Sequence, residues 1–204
     1  MIHRDSNILT PNILLVGNIG SGKDEVARIL TEELGFYKLK LGKYIREHVD
    51  LLAYDEEMNK RGLYQDYGQW ARKTYGDDVW NNITYKESQQ IKEAAYDEMA
   101  FNHTTHYNVN FVVADGRQWN EVEFWRKKKY RVVGIYAPYQ TRFLRVKDRD
   151  GFDQHAFSNH ETELSATDII QSGKCDFVIT NEGIDLNMLK AEVIKMAFKL
   201  SERV

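Results

Sequence analysis

The stretch LLVGNIGSGKDEVARIL, Leu14 to Leu30, decides the fold. It opens as an apolar run of strand length and passes through Gly17, Gly20 and Gly22 to Lys23. Val26, Ile29 and Leu30 then recur at helical spacing, and Gly35 follows as a stop. The segment Gly17-Asn18-Ile19-Gly20-Ser21-Gly22-Lys23 fits G-x-x-x-x-G-K. Glycines let the backbone turn tightly, so that successive amide N–H groups point inward at anionic oxygens. The start of the following helix adds a partial positive charge, and Lys23 adds a full one. Between a strand and a helix, this pattern predicts a phosphate-binding loop for a nucleoside triphosphate, running from Gly17 through Lys23 to Asp24 and Glu25.

Asp24 departs from the pattern, because a Ser or Thr hydroxyl normally stands there and ligates Mg2+. A carboxylate is comfortable in the first turn of a helix but sits close to an anionic triphosphate. One reading has Asp24 contact Mg2+ directly or through water. The other makes it a helix-capping acid without a metal role.

Working outward, short apolar runs recur between helical patterns. Asn12–Gly17, Phe36–Leu39, Asn110–Asp115, Arg131–Tyr136 and Asp176–Thr180 read as five strands, buried on both faces because they lack polar alternation. Helices are expected over Asp24–Leu34, Leu41–Leu52, Tyr64–Tyr75, Asp78–Phe101, Glu121–Lys129 and Leu186–Val204. Alternating strands and helices imply an α/β fold, a parallel sheet with right-handed crossovers. The long helical span between the second and third strands exceeds a simple crossover and predicts a substrate-binding flank.

The bulk properties exclude several classes. The 204 residues suit one α/β domain, and 42% hydrophobic content supplies a core. A net charge of −3 gives no basic excess for nucleic acid, and Arg126-Lys127-Lys128-Lys129 reads as a solvated helix end. No run approaches the roughly 20 apolar residues of a membrane span. Cys175 is the single cysteine, which excludes an internal disulfide and points to a reducing, cytoplasmic setting. His103 and His106 form H-x-x-H without further ligands nearby and read as a helix end, not a zinc site.

The rest of the chain offers an acceptor side. LKLGKYIR resembles the segment of nucleoside monophosphate kinases that ends in an Arg gripping the acceptor phosphate, which Arg46 would match; its planar fork suits a phosphomonoester, a surface Arg on a helix is the other reading, and Lys43 is a lesser candidate. The stretch RGLYQDYGQWARKTYGDDVW, from Arg61 to Trp80, brings Tyr64, Gln65, Tyr67, Trp70 and Trp80, which could supply the flat wall and hydrogen-bonding groups a nucleobase needs; a core aromatic stripe is the other reading, and Gln65 and Arg72 weigh toward a binding flank. Asp115 ends the third strand in VVADGR with Arg117 just beyond, at the carboxyl end of the sheet where α/β proteins bind ligands. Arg142, Arg145 and Arg149 share one helical face, which suits an anion above them; ion pairs with Asp148, Asp150 and Asp153 are the structural alternative.

These motifs together resemble those of P-loop nucleoside monophosphate kinases, most of all the phage-type deoxynucleoside monophosphate kinases. SGKD in place of GK[ST] is shared with them and with phosphomevalonate kinases, although those often read GKDT where Glu25 stands here. The elements around Arg46, Arg61–Trp80 and Asp115–Arg117, with Glu121 and Phe124-Trp125 beyond, answer the same family pattern. HAFSNHETEL resembles the family's acidic stretch after the lid, where Glu161 or Glu163 could serve; a solvated loop is the other reading. DFVITNEG resembles the fifth strand and Asn-containing turn of these and dephospho-coenzyme A kinases.

The resemblance implies a three-layer P-loop NTPase domain over 1–204, with a helical flank at about 40–108 and a lid at about 139–165. It implies ATP and Mg2+ as cofactors and γ-phosphoryl transfer to a (deoxy)nucleoside monophosphate. Lys23, Asp115, Arg117, Arg145 and Arg149 would act in catalysis, with Asp24 and Asp115 near the metal. Arg46, Lys43, Tyr64, Gln65, Arg72, Trp80 and Arg117 would hold the acceptor. The implied partners are small nucleotides, neither nucleic acid nor membrane, with room for a homodimer. Dephospho-coenzyme A kinase, phosphomevalonate kinase and a non-catalytic nucleotide-sensing module are the alternatives.

Overall fold

A computed structural model of the chain describes residues 10–52, 60–103, 108–150 and 161–202. Five strands form one wholly parallel sheet: β1 (Ile13–Val16), β2 (Tyr37–Leu39), β3 (Phe111–Gly116), β4 (Arg131–Tyr136) and β5 (Phe177–Thr180), in the order β2-β3-β1-β4-β5. The order places β1 at the centre, with Ile13 opposite Val112 on one side and Arg131 on the other. The chain therefore reverses its winding direction at β1, and the crevice beyond the strand ends there is where such sheets bind ligands.

Side chains alternate across the sheet and meet helices on both faces. Ile13 and Leu15 pack with Val26, Ile29 and Leu30 of α1 (Lys23–Leu34), and with Val193 and Met196 of the last helix, Leu186–Ser201. Leu14 and Val16 point the other way, toward Trp125 of α5 (Trp119–Lys127) and Ile169 of α7 (Glu161–Gln171). All these residues are at most 2% exposed, so β1 lies at the middle of a three-layer core. The last helix is α8; α6 spans Tyr139–Asp150.

The flank consists of α2 (Lys43–Leu52), α3 (Lys60–Tyr75) and α4 (Val79–Phe101). Helix α3 starts earlier than the expected Tyr64, and α8 ends at Ser201. Helix α5 starts at Trp119 because Gln118 and Glu121 form a capping box there. The largest difference is α7, where the sequence left a loop open. Ala166 and Ile169, both fully buried, give it an apolar face, and Glu163 lies on that same buried stripe. The side chains of Arg61, Arg149 and Glu161, together with His106, lie outside the described residues.

Cys175 packs beside Gly134 of β4, and burial pushes its thiol up to about 11, which suits a space-filling role. Among the described residues, no helix is long and apolar enough to cross a membrane.

Candidate active site

The loop after β1 is shaped by its glycines and held from behind. Gly20 and Gly22 have φ of 75° and 99°, the left-handed region that a Cβ disfavours. At Gly22 a Cβ would also fall 2.2 Å from Asn181 Nδ2, which donates to the Ser21 carbonyl at 2.9 Å. Gly22 caps α1, and Lys23 opens it. The Lys23 ammonium donates to the carbonyls of Gly17 at 2.5 Å and Asn18 at 2.8 Å. Its burial, with the nearby Arg117 cation, lowers its pKa to about 7, against the opposing charges of Glu163, Asp115 and Asp24. An anion delivered to the loop would reverse that cost.

A cleft of ≈ 760 Å³ opens over this loop. Ile19, Gly20, Gly22, Lys23, Asp24 and Glu25 line its loop side. Arg46, Tyr64, Gln65 and Arg72 line the flank side, and Asp115, Arg117 and Arg145 complete it. Gly17, Asn18 and Ser21 sit buried behind the loop instead of lining the cleft.

Two residues expected at the acceptor site lie elsewhere. Trp80 is 3% exposed and donates its indole N–H to the Gly68 carbonyl at 3.2 Å, packing α4 under α3. Lys43 pairs with Glu87 of α4 at 2.6 Å. Both are better satisfied within the flank than in an open cleft, because α4 packs against α3 and offers Glu87 to Lys43. Tyr64 keeps its place on the cleft wall while its hydroxyl donates to Asp50 at 2.7 Å, tying α3 to α2.

The carboxylates divide into two kinds. Asp115 accepts the backbone N–H groups of Leu41 and Gly42 at 2.7 and 3.0 Å, so it anchors the start of α2 to the sheet. Asp24 is more open and holds Lys38 and Lys40 at 3.0 and 2.8 Å. Partial burial pushes its carboxyl up, but the hydrogen bonds and charges of Lys40 and Lys38 outweigh that and bring it to about 2. Lys40 also lines the cleft.

Sequence reasoning gave too little weight to the carboxylates behind the arginines. Glu121, 3% exposed, accepts Arg72 at 3.0 Å and the backbone N–H groups of Arg117 and Gln118 at 2.7 and 3.0 Å. Burial raises its pKa, opposed by Arg72 and those hydrogen bonds. Glu163, also 3% exposed, accepts the Ile19 N–H at 2.8 Å and Arg117 at 2.6 Å. The expected lid arginines turn toward the loop: Arg145 donates to the Gly20 carbonyl at 3.3 Å and to Asn181, and Arg142 to the Ile19 carbonyl at 3.4 Å. An acidic residue on the apolar stripe of α7 is the sequence signal that would have singled out Glu163.

A family of P-loop proteins described as "AAA domain" matches residues 13–165, from the first strand to the start of α7. The chain belongs to the AAA domain family. A search of curated proteins finds no match for this AAA domain. Solved structures similar to it include shikimate kinase from Acinetobacter baumannii, with 20% identity, a TM-score of 0.53, and coverage of 94% of this chain and 95% of that one. The tunicamycin resistance protein of Deinococcus radiodurans gives 13% identity and a TM-score of 0.54, covering 92% and 95%. A gluconokinase from Sinorhizobium meliloti 1021 gives 14% and 0.50, covering 95% of each chain. At these identities the shared property is the fold: five parallel strands between helical layers.

The donor set of this AAA domain fits Mg2+ only in company. Among the described residues, no group of three His, Cys, Asp or Glu side chains could hold a metal ion. Asp24 and Asp115 both face the cleft, and a carboxylate retains acceptor capacity beyond the contacts given above. Mg2+ is usually bound by one or two carboxylates together with substrate phosphates and water, and Asp24 and Asp115 are carboxylates of the cleft with the chemistry for that part.

Proposed function

We propose that this chain transfers the γ-phosphoryl group of ATP to a (deoxy)nucleoside monophosphate, giving the diphosphate. One observation carries the reading: the Lys23 loop and the guanidinium-bearing residues Arg46, Arg72 and Arg117 open into the same cleft. A polyphosphate on the loop and a phosphomonoester under the arginines would then meet near Lys23. The wall of Tyr64, Gln65 and Gln69 combines a flat ring with amide hydrogen-bonding groups, which suits a nucleobase.

The acceptor phosphate already carries a nucleophilic oxygen, so no general base is assigned. The work of the protein is positioning and charge stabilisation. Lys23 would follow the β- and γ-phosphates, while Arg117 would bridge the transferring group and the acceptor phosphate. Arg46 and Arg72 would hold the acceptor by paired N–H donors. Arg145 would hold the loop, and Arg149 is assigned to the lid through the resemblance. Asp24 and Asp115 would hold Mg2+ together with the phosphates, and the ion would offset the phosphates' negative charge.

Coupled ADP release across a panel of acceptors tests this. The panel comprises deoxynucleoside and ribonucleoside monophosphates, dephospho-coenzyme A, phosphomevalonate, and the hydroxy acids shikimate and gluconate, which the names of the similar structures bring in. Turnover above background only with nucleoside monophosphates is the expected result. Turnover with a different acceptor alone would reject the nucleotide acceptor. ATP binding without turnover on any acceptor would make the chain a nucleotide-binding module.

A further inference from the structure

Three hydrogen-bond donors and a second guanidinium meet the start of α7. The Glu163 carboxylate, 3% exposed, accepts the Ile19 amide at 2.8 Å through Oε2 and Arg117 at 2.6 Å through Oε1. Arg142 stands 3.8 Å from Oε2. The Glu163 backbone carbonyl accepts from Asn18 Nδ2 at 2.7 Å. Asn18 and Ile19 are the two loop residues that follow Gly17, and α7 follows α6 in the chain. One residue therefore joins three parts of the cleft: the back of the phosphate loop, the arginine after β3, and the segment beyond α6.

A carboxylate so deeply buried is costly unless its partners are charged and well aligned. Here the partners are the anion-binding parts of the site. The Ile19 amide is fixed by Glu163 Oε2, which constrains the backbone of the loop just before Gly20, Gly22 and Lys23. Arg117 is held by one of its nitrogens beside Lys23, so its direction is set before any phosphate arrives. Such pre-ordering reduces the ordering cost of binding.

We propose that Glu163 is a positioning residue that sets the shape of the phosphate loop and the aim of Arg117, and so the affinity for the ATP polyphosphate. The inference rests on the reading that this loop holds ATP. It assigns Glu163 no contact with substrate and no role in proton transfer. Exchange for Gln tests the charge, since an amide oxygen still accepts from Ile19 while its N–H2 group would repel Arg117 or leave it unpaired.

ATP binding in the presence of Mg2+, measured by titration calorimetry, decides the matter for wild type, Glu163→Gln, Arg117→Ala and the double variant, with thermal unfolding alongside. Glu163→Gln is expected to weaken ATP binding roughly 10- to 100-fold, the range for losing a charge-assisted hydrogen bond. In the Arg117→Ala background the same change should cost less than about threefold, because the hydrogen-bonded guanidinium that Glu163 aims is gone and Arg142, 3.8 Å from Glu163, is too far to hydrogen-bond in its place. Glu163→Asp keeps the charge at shorter reach and should fall between wild type and Gln; it serves in both backgrounds should the Gln variant not fold. Equal losses in both backgrounds mean a purely structural role and overturn the inference, as does affinity within about threefold of wild type. Wild-type protein that binds no ATP overturns the underlying reading, and the inference with it.

Discussion

Lys23→Met should change how stability depends on pH, and the size of the change follows from the burial of the ammonium. In the folded chain its pKa falls from 10.5 to about 7, burial being the largest cause. The unfolded chain therefore binds a proton at this position more readily than the folded one. The resulting penalty is fully present below about pH 7 and fades as the pH rises toward 10.5. Between pH 7 and 9 the linkage relation gives a relief of about 2 kcal/mol. For a chain of this size that corresponds to a rise of roughly 4–8 °C in melting temperature. Methionine fills similar space without a charge, so the stability of Lys23→Met should lack this slope. The assay is chemical denaturation of both proteins at several pH values, with the difference between them plotted against pH. Saturating ATP with Mg2+ should flatten the wild-type slope, because phosphate oxygens stabilise the ammonium. Parallel pH profiles for the two proteins without nucleotide would refute the reasoning.

Three further outcomes follow from the cleft. Gly22→Ala should weaken ATP binding by at least about tenfold, since its Cβ would strike Asn181 at a φ of 99°; calorimetry reads this directly. Arg72→Ala strands the Glu121 carboxylate, 3% exposed, and should cost about 3 kcal/mol in urea unfolding, with part recovered by adding Glu121→Gln. Asp24→Ala should raise the Mg2+ concentration for half-maximal phosphoryl transfer several-fold, while an unchanged magnesium dependence would confine Asp24 to its contacts with Lys38 and Lys40.

The centre of the fold was legible because its signals are local. Three glycines, a lysine and the helical spacing of Val26, Ile29 and Leu30 lie within one short stretch and specify strand, turn and helix together. The sheet order was not legible, since β1 pairs with strands about 100 residues away, and apolar runs of similar composition do not name their neighbours. Arg46, Arg72 and Arg117 were singled out by the motifs they stand in, and all three line one cleft. Trp80 was misread because an aromatic residue on a helix looks alike whether it faces a ligand or the next helix; only the packing of α4 under α3 decides. Glu163 was underrated for a related reason. A carboxylate in an acidic, polar stretch such as HETEL reads as solvated, and its burial becomes visible only once α7 is laid against the loop.

Under the proposed function, two phosphate-bearing molecules share one cleft, head to head. A ligand carrying both in a single molecule, adenosine joined to a deoxynucleoside through five phosphates, tests this most directly by calorimetric titration. One molecule per chain should bind at least about 100-fold more tightly than ATP, because the second headgroup binds at high effective concentration. Arg46→Ala should remove most of that gain and leave ATP affinity intact. Affinity no greater than that of ATP, unaffected by Arg46→Ala, would contradict a shared cleft.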